Sequence, residues 1–187
     1  FNMREYPLWA TSTGDHRFND RLGEVSIAAS ARRNAANEEF LSRLNQIDRD
    51  ALSDNAQVDY DILRRELQEK LEEFRFQTHL LPITHRSGFH IEFPELRREV
   101  PLATREDYDN YLARLNAFGA YADGHIELMR AGIAAERTLP AVILQGYQPS
   151  IESHLVDDPT DSLLYEPFLE FPDALDPLWR VIKLGVL

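Results

Sequence analysis

The 187-residue sequence predicts an all-α protein with several long helices, one short extended strip near residues 88–93 and a loop-rich C-terminal tail. Three observations predict it. Apolar residues recur at three- and four-residue spacing over three long stretches. Each stretch opens at a serine or threonine suited to an N-cap. Prolines gather between these stretches and after the last of them.

Taken in order, Ser26 is placed to cap a helix through about Asp48, with Phe40, Leu44 and Ile47 on one face. Ser53, followed by Asp54 in the first turn, opens a second helix, along which Leu63, Leu67, Leu71 and Phe74 recur. Asp61 with Arg65 and Glu66 with Lys70 are four apart in the favourable orientation, each adding about 0.2–0.5 kcal/mol. Pro82, Gly88, Pro94 and Pro101 break the pattern. Phe89, Ile91 and Phe93 alternate there with His90 and Glu92, the signature of a strand or extended strip.

Thr104 with Asp107 forms a shortened capping box that opens the longest helix, through about Ala134. Its apolar stripe is Tyr108, Tyr111, Leu112, Leu115, Phe118, Ala122, Ile126, Met129 and Ile133. Thirty residues span roughly 45 Å, against about 40 Å across a compact chain of this length. The stripe therefore calls for further protein surface, unless Gly119, Gly124 and Gly132 bend the helix. Thr138 and Pro140 are placed to begin another helix, interrupted by Pro149. From Asp157 onward, Pro159, Pro167, Pro172 and Pro177 give loops and short turns. No repeat or linker is visible, so residues 1–187 read as a single helical segment.

Composition narrows the function. With 32 acidic against 20 basic residues the net charge is −12, which argues against nucleic acid and against an anionic membrane surface. An acidic, solvated surface is the simplest account of it. Lys70 and Lys183 are the only lysines. No cysteine is present, so disulfides, thiolate metal sites and cysteine nucleophiles are excluded. No stretch reaches the roughly 18 apolar residues of a membrane span. The first residue is Phe1, which leaves room for a targeting segment removed ahead of it.

No catalytic motif is complete. The nucleophile elbow, the dinucleotide fingerprint and the phosphate loop are all missing, and no histidine is followed by glutamate as a zinc-protease helix requires. We therefore assign no catalytic residue and no metal ligand to this chain. Weaker constellations remain. Asp15 beside His16 in Gly14-Asp15-His16-Arg17 is a pairing that can orient an imidazole, although capping and ion pairing within a turn is the simpler account. His79, His85, His90 and Glu92 lie close together but match no ligand spacing. Tyr165, like Tyr147, sits among helix breakers, where a ligand-facing role is easier than on the long helix. Asp15, His16, His90 and Tyr165 are the candidate cleft-lining residues.

Several collinear strings resemble a bacterial family known as domain of unknown function 885. They are Glu5-Tyr6-Pro7, Gly14-Asp15-His16-Arg17 and Asn19-Asp20-Arg21-Leu22, then Arg64-Arg65-Glu66-Leu67 and Phe74-Arg75-Phe76. Val100-Pro101-Leu102, Asp107-Tyr108-Asp109-Asn110-Tyr111-Leu112 and Ile126-Glu127-Leu128-Met129-Arg130 continue the series. Thr138-Leu139-Pro140 and Tyr165-Glu166-Pro167-Phe168 complete it, and Ala141 departs from it where an arginine is expected.

The resemblance implies a distant likeness to all-helical zinc metallopeptidases with a deep substrate channel, their zinc-binding segment lying well downstream of the matched region. It also implies an exported or periplasmic setting, lipoprotein-derived in some members. On that reading the chain is the channel wall or lid of a larger zinc-dependent, peptidase-like hydrolase. It would then be a fragment, a cleaved product or a truncated gene. Its partner would be the remainder of the parent chain beyond Leu187, its parent would act on a peptide substrate, and zinc would belong to the parent alone. The competing reading is a free-standing helical binding module without catalysis. A complete hydrolase built on carboxylates such as Asp15 and Glu92 is a third.

Overall fold

The long helices start where the sequence places them, two of them with side-chain capping bonds. In the computed structural model, which describes residues 1–84, 86–173 and 175, the Ser26 hydroxyl accepts from the Ala29 N–H at 2.9 Å and opens a helix over Ile27–Leu44. That helix stops short of Ile47, which lies exposed in the turn beyond it. Ser53 precedes the helix Asp54–Arg75. At Thr104 the capping box is reciprocal. The Thr104 N–H donates to the Asp107 carboxylate at 2.8 Å, and the Asp107 N–H donates to the Thr104 hydroxyl at 3.2 Å. The helix opened there runs over Arg105–Ala134.

With the short helices included, the described residues form α1 (Asn2–Glu5), α2 (Pro7–Ser12), α3 (Ile27–Leu44), α4 (Asp54–Arg75), α5 (Phe89–Glu92), α6 (Leu96–Glu99), α7 (Arg105–Ala134) and α8 (Gln148–Glu152). Turns of 3₁₀ helix link them, and no strand occurs among the described residues. The fold is all-α.

The extended strip expected near residues 88–93 is a helical turn instead. Alternation over five residues also puts Phe89 and Phe93 four apart, on one face of a helix. Both rings pack on Phe118, at 6.4 Å and 4.0 Å between centroids. Gly88, at φ 137°, turns the chain into the helix, and its N–H donates to the Glu92 carboxylate. Of the pairing expected of a strand, one isolated bridge between Ile83 and Gly88 remains. Likewise Thr138–Pro140 leads into a single 3₁₀ turn, Ala141–Leu144, and Pro149 sits in the first turn of α8, where its missing N–H costs nothing.

The chain divides into two compact units. The first gathers the described residues of 1–24, 83–123 and 139–187. Its core is Phe93, Leu96, Tyr108, Tyr111, Phe168 and Leu175, with Leu112, Leu115 and Phe118 of α7 packed against it. Tyr108 and Tyr111 donate their hydroxyls to the carbonyls of Pro167 and Leu164, which ties the tail turn Leu163–Phe168 to α7. Arg97 of α6 adds an ion pair with Glu166 of the same turn.

The second unit gathers residues 25–82 and 124–138. Helices α3 and α4 form a hairpin closed over Leu44, Tyr60 and Leu67, with Phe40, Leu41 and Leu52 alongside. Asp61 pairs across the hairpin turn with Arg49 at 2.7 Å, and Arg65 pairs with Glu69. The Asp61–Arg65 pairing that helical spacing suggests gives way because Arg49 offers a two-toothed contact to the same carboxylate.

Candidate functional site

The polar turn after α2 is assembled around a residue far away in sequence. Asp15 caps the 3₁₀ turn His16–Phe18 by accepting from the Arg17 N–H, and both of its oxygens also take the Arg17 guanidinium, at 2.8 Å and 2.6 Å. These bonds hold the Asp15 carboxyl down at about 2. Asp20 and Arg21 form a second such pair. The guanidinium groups of Arg17 and Arg21 lie 5.4 Å and 5.9 Å from the Phe18 ring.

Beneath this turn lies Arg114 of α7, whose side chain is fully buried. Its Nε donates to the Arg21 carbonyl at 3.1 Å. One terminal nitrogen serves the Pro7 carbonyl, the Thr11 hydroxyl and the Phe18 carbonyl at 3.3, 2.7 and 3.2 Å. The other terminal nitrogen has no hydrogen-bond partner among the described residues. Burial pulls the guanidinium down to about 10, opposed by the nearby charge of Asp20. All four acceptors come from residues 7–21, so a single side chain docks the N-terminal segment onto α7.

Buried Thr11 and Asn19 carry the contacts outward. The Thr11 hydroxyl donates to Asn19 Oδ1 at 2.7 Å, with the Pro7 carbonyl as a second acceptor at 3.0 Å. The Asn19 amide nitrogen lies 3.3 Å from His16 Nδ1, and the imidazole itself is exposed. His16 is therefore oriented by Asn19, while its neighbour Asp15 is engaged by Arg17.

His90 occupies a different neighbourhood. It is buried in α5 beside the edge of Phe89, and neither ring nitrogen has a hydrogen-bond partner among the described residues. Burial lowers its pKa, Glu92 opposes that shift and His154 reinforces it. Tyr165 is half-buried against Phe168 and belongs to the core of the first unit. Asp15 and His16 thus share one turn, whereas His90 and Tyr165 each belong elsewhere. His85 lies outside the described residues.

A catalytic zinc ion takes three protein ligands around one point. Among the described residues no three histidine or carboxylate side chains are grouped closely enough to hold a metal, so these residues do not fit that ion. Arg114, Thr11 and Asn19 escape motif reading because the first lies within an apolar helix face and the other two in a short polar stretch. One signal was available. Arg114 follows Tyr108 and Tyr111 at successive three-residue steps, which puts a cation on the buried face.

Comparison with curated proteins returns no match to this chain. A family model does match, over residues 7–181, spanning the clamped turn, α7 and the tail that packs on it. Its description is "Bacterial protein of unknown function (DUF885)", and the chain belongs to that family.

Proposed function

We propose that this chain is a non-catalytic helical wall or lid of a zinc-dependent, peptidase-like hydrolase, with the zinc and its ligands supplied by residues outside these 187. The observation that carries the reading is apolar surface left wet along the tail of the first unit. Val142, Leu155 and Leu169 are 66, 76 and 69% exposed, and Val156 and Leu163 are exposed between them. Covering a large aliphatic side chain is worth roughly 1.5–3 kcal/mol. Apolar side chains this exposed are the ones that further protein would cover on this reading. The remainder of a longer parent chain is the partner this reading supplies, and a peptide is the parent's substrate.

The test is to read the gene beyond the codon for Leu187 and to express two proteins, one ending at Leu187 and one carrying the whole downstream reading frame. Zinc content and hydrolysis of a peptide panel are then measured on both. The reading predicts stoichiometric zinc and turnover in the longer protein, and neither in the 187-residue chain. A stop codon directly after Leu187 overturns it and favours a free-standing helical interaction module. Metal-dependent turnover by the short chain alone also overturns it.

A further inference from the structure

The hydrogen bonds that link Arg114 to His16 through Thr11 and Asn19 have a direction. A guanidinium only donates, so Thr11 Oγ1 must accept from Arg114 and has one proton left to give. That proton goes to Asn19 Oδ1, which turns the Asn19 amide nitrogen toward His16 Nδ1. A nitrogen that faces an N–H must itself be the acceptor, so the neutral His16 ring carries its proton on Nε2, toward solvent.

We propose that His16, Asn19 and Thr11 form a hydrogen-bond chain, anchored on Arg114, whose His16–Asn19 and Asn19–Thr11 bonds reverse when the exposed imidazole gains a proton, carrying the surface protonation state to the buried clamp without releasing it. Once Nδ1 bears a proton it faces the N–H₂ of Asn19, donor against donor. Half a turn of the Asn19 amide relieves the clash. Oδ1 then accepts from His16, and Nδ2 donates to Thr11 Oγ1. The Thr11 hydroxyl moves to its second acceptor, the Pro7 carbonyl already 3.0 Å away.

In this second arrangement Thr11 accepts from Arg114 and Asn19 and donates once, the full capacity of a hydroxyl. Arg114 keeps its bonds to the Arg21, Pro7 and Phe18 carbonyls. The other charged side chains of the turn itself are paired, and Glu5 of α1, which packs on α2, has Arg4 beside it at 3.7 Å. Asp15 is paired with Arg17, Asp20 with Arg21, and α2 contributes no charged side chain. Charging His16 is therefore answered by the Asn19 amide and not by an exchange of ion partners.

Nuclear magnetic resonance of the full chain tests this, with the His16 ring nitrogens, the Asn19 side-chain amide and the Pro7 carbonyl carbon followed from about pH 8 to about pH 5, the range in which histidines exchange a proton. Neutral His16 is expected as the Nε2–H tautomer, with the Asn19 and Pro7 signals moving at the same midpoint as the ring. Thr11→Ser should keep the Pro7 response, and Thr11→Ala should abolish it. An Nδ1–H tautomer in the neutral form overturns the proposal. So does a Pro7 carbon in the unaltered chain that ignores His16, or one that responds equally in Thr11→Ala.

Discussion

The two halves of α7 are packed by opposite means. Over Tyr108, Tyr111 and Arg114 the helix reaches out. These long side chains stand at three-residue steps, each is almost wholly buried, and each ends in hydrogen bonds to backbone carbonyls of other segments. Over Gly124, Leu128 and Gly132, at four-residue steps, the helix draws its neighbours in. A β-carbon on Gly124 would sit 2.3 Å from the Val25 carbonyl, and one on Gly132 would sit 2.8 Å from that of Leu80. Buried surface in the first half comes from side-chain length, and in the second from its absence. One helix can thus serve two units whose cores share no residue.

The largest effect should come from removing reach. Arg114→Met removes four charge-assisted hydrogen bonds, to the Pro7, Phe18 and Arg21 carbonyls and the Thr11 hydroxyl, although the Pro7 carbonyl keeps the Thr11 hydroxyl and the Phe18 carbonyl keeps the Arg21 N–H. Hydrogen bonds to a charged group contribute about 1.5–3 kcal/mol each. Urea unfolding should show a loss of several kcal/mol, with Arg114→Lys recovering part of it. Filling space in the second half comes next. Gly124→Ala must push the Val25 backbone away, and overpacking of this kind typically costs about 1–3 kcal/mol.

Acid distinguishes the units more gently. Burial lowers the pKa of His79 and His90, and holds that of His125 down at about 4 against the ordinary histidine value of 6.5. Between those values the unfolded chain binds protons that the folded chain refuses, so stability is complete above about 6.5 and falls as the pH drops toward about 4. His79 and His125 belong to the second unit and His90 to the first. Urea midpoints at fixed ionic strength should therefore decline over that window, and probes in the second unit should lose most. A midpoint that rises as the pH falls would contradict the assignment. The smallest effect is a gain. Gly119 sits on the same helix with nothing within 4 Å of an added β-carbon, so Gly119→Ala should stabilise by up to about 1 kcal/mol in thermal unfolding.

This contrast within α7 marks where sequence reading succeeded and where it stopped. The helix class and the starts at Ser26, Ser53 and Thr104 were legible, because N-caps and periodicity are local. The face of α7 was half legible. Leu112, Leu115 and Phe118 do pack on the first core, but Ile126 and Ile133 are exposed, and the buried face there runs through Gly124 and Gly132, off the apolar stripe. Hydrophobicity cannot reveal a face built from backbone contact, since glycine carries no side chain to score. The strip at residues 88–93 failed for a related reason. Five alternating residues fit a strand and a helical turn equally, and the Phe118 ring decides between them.

The candidate site was legible only as a neighbourhood. Asp15 and His16 were found because they are adjacent in sequence, but the residues that orient them are Arg17 and Asn19, and the anchor beneath is Arg114. No local pattern joins position 19 to position 114.

Amide hydrogen exchange, measured residue by residue on Arg114→Met and Gly124→Ala beside the unaltered chain, tests the central contrast most directly. Loss of the guanidinium should speed exchange in Phe1–Glu24 and leave α3 and α4 as they were, and Gly124→Ala should speed exchange around Val25 and the start of α3 with Pro7–Arg21 unchanged. If both substitutions loosen the same residues, or if Arg114→Met leaves Phe1–Glu24 as protected as before, α7 is not held in two different ways.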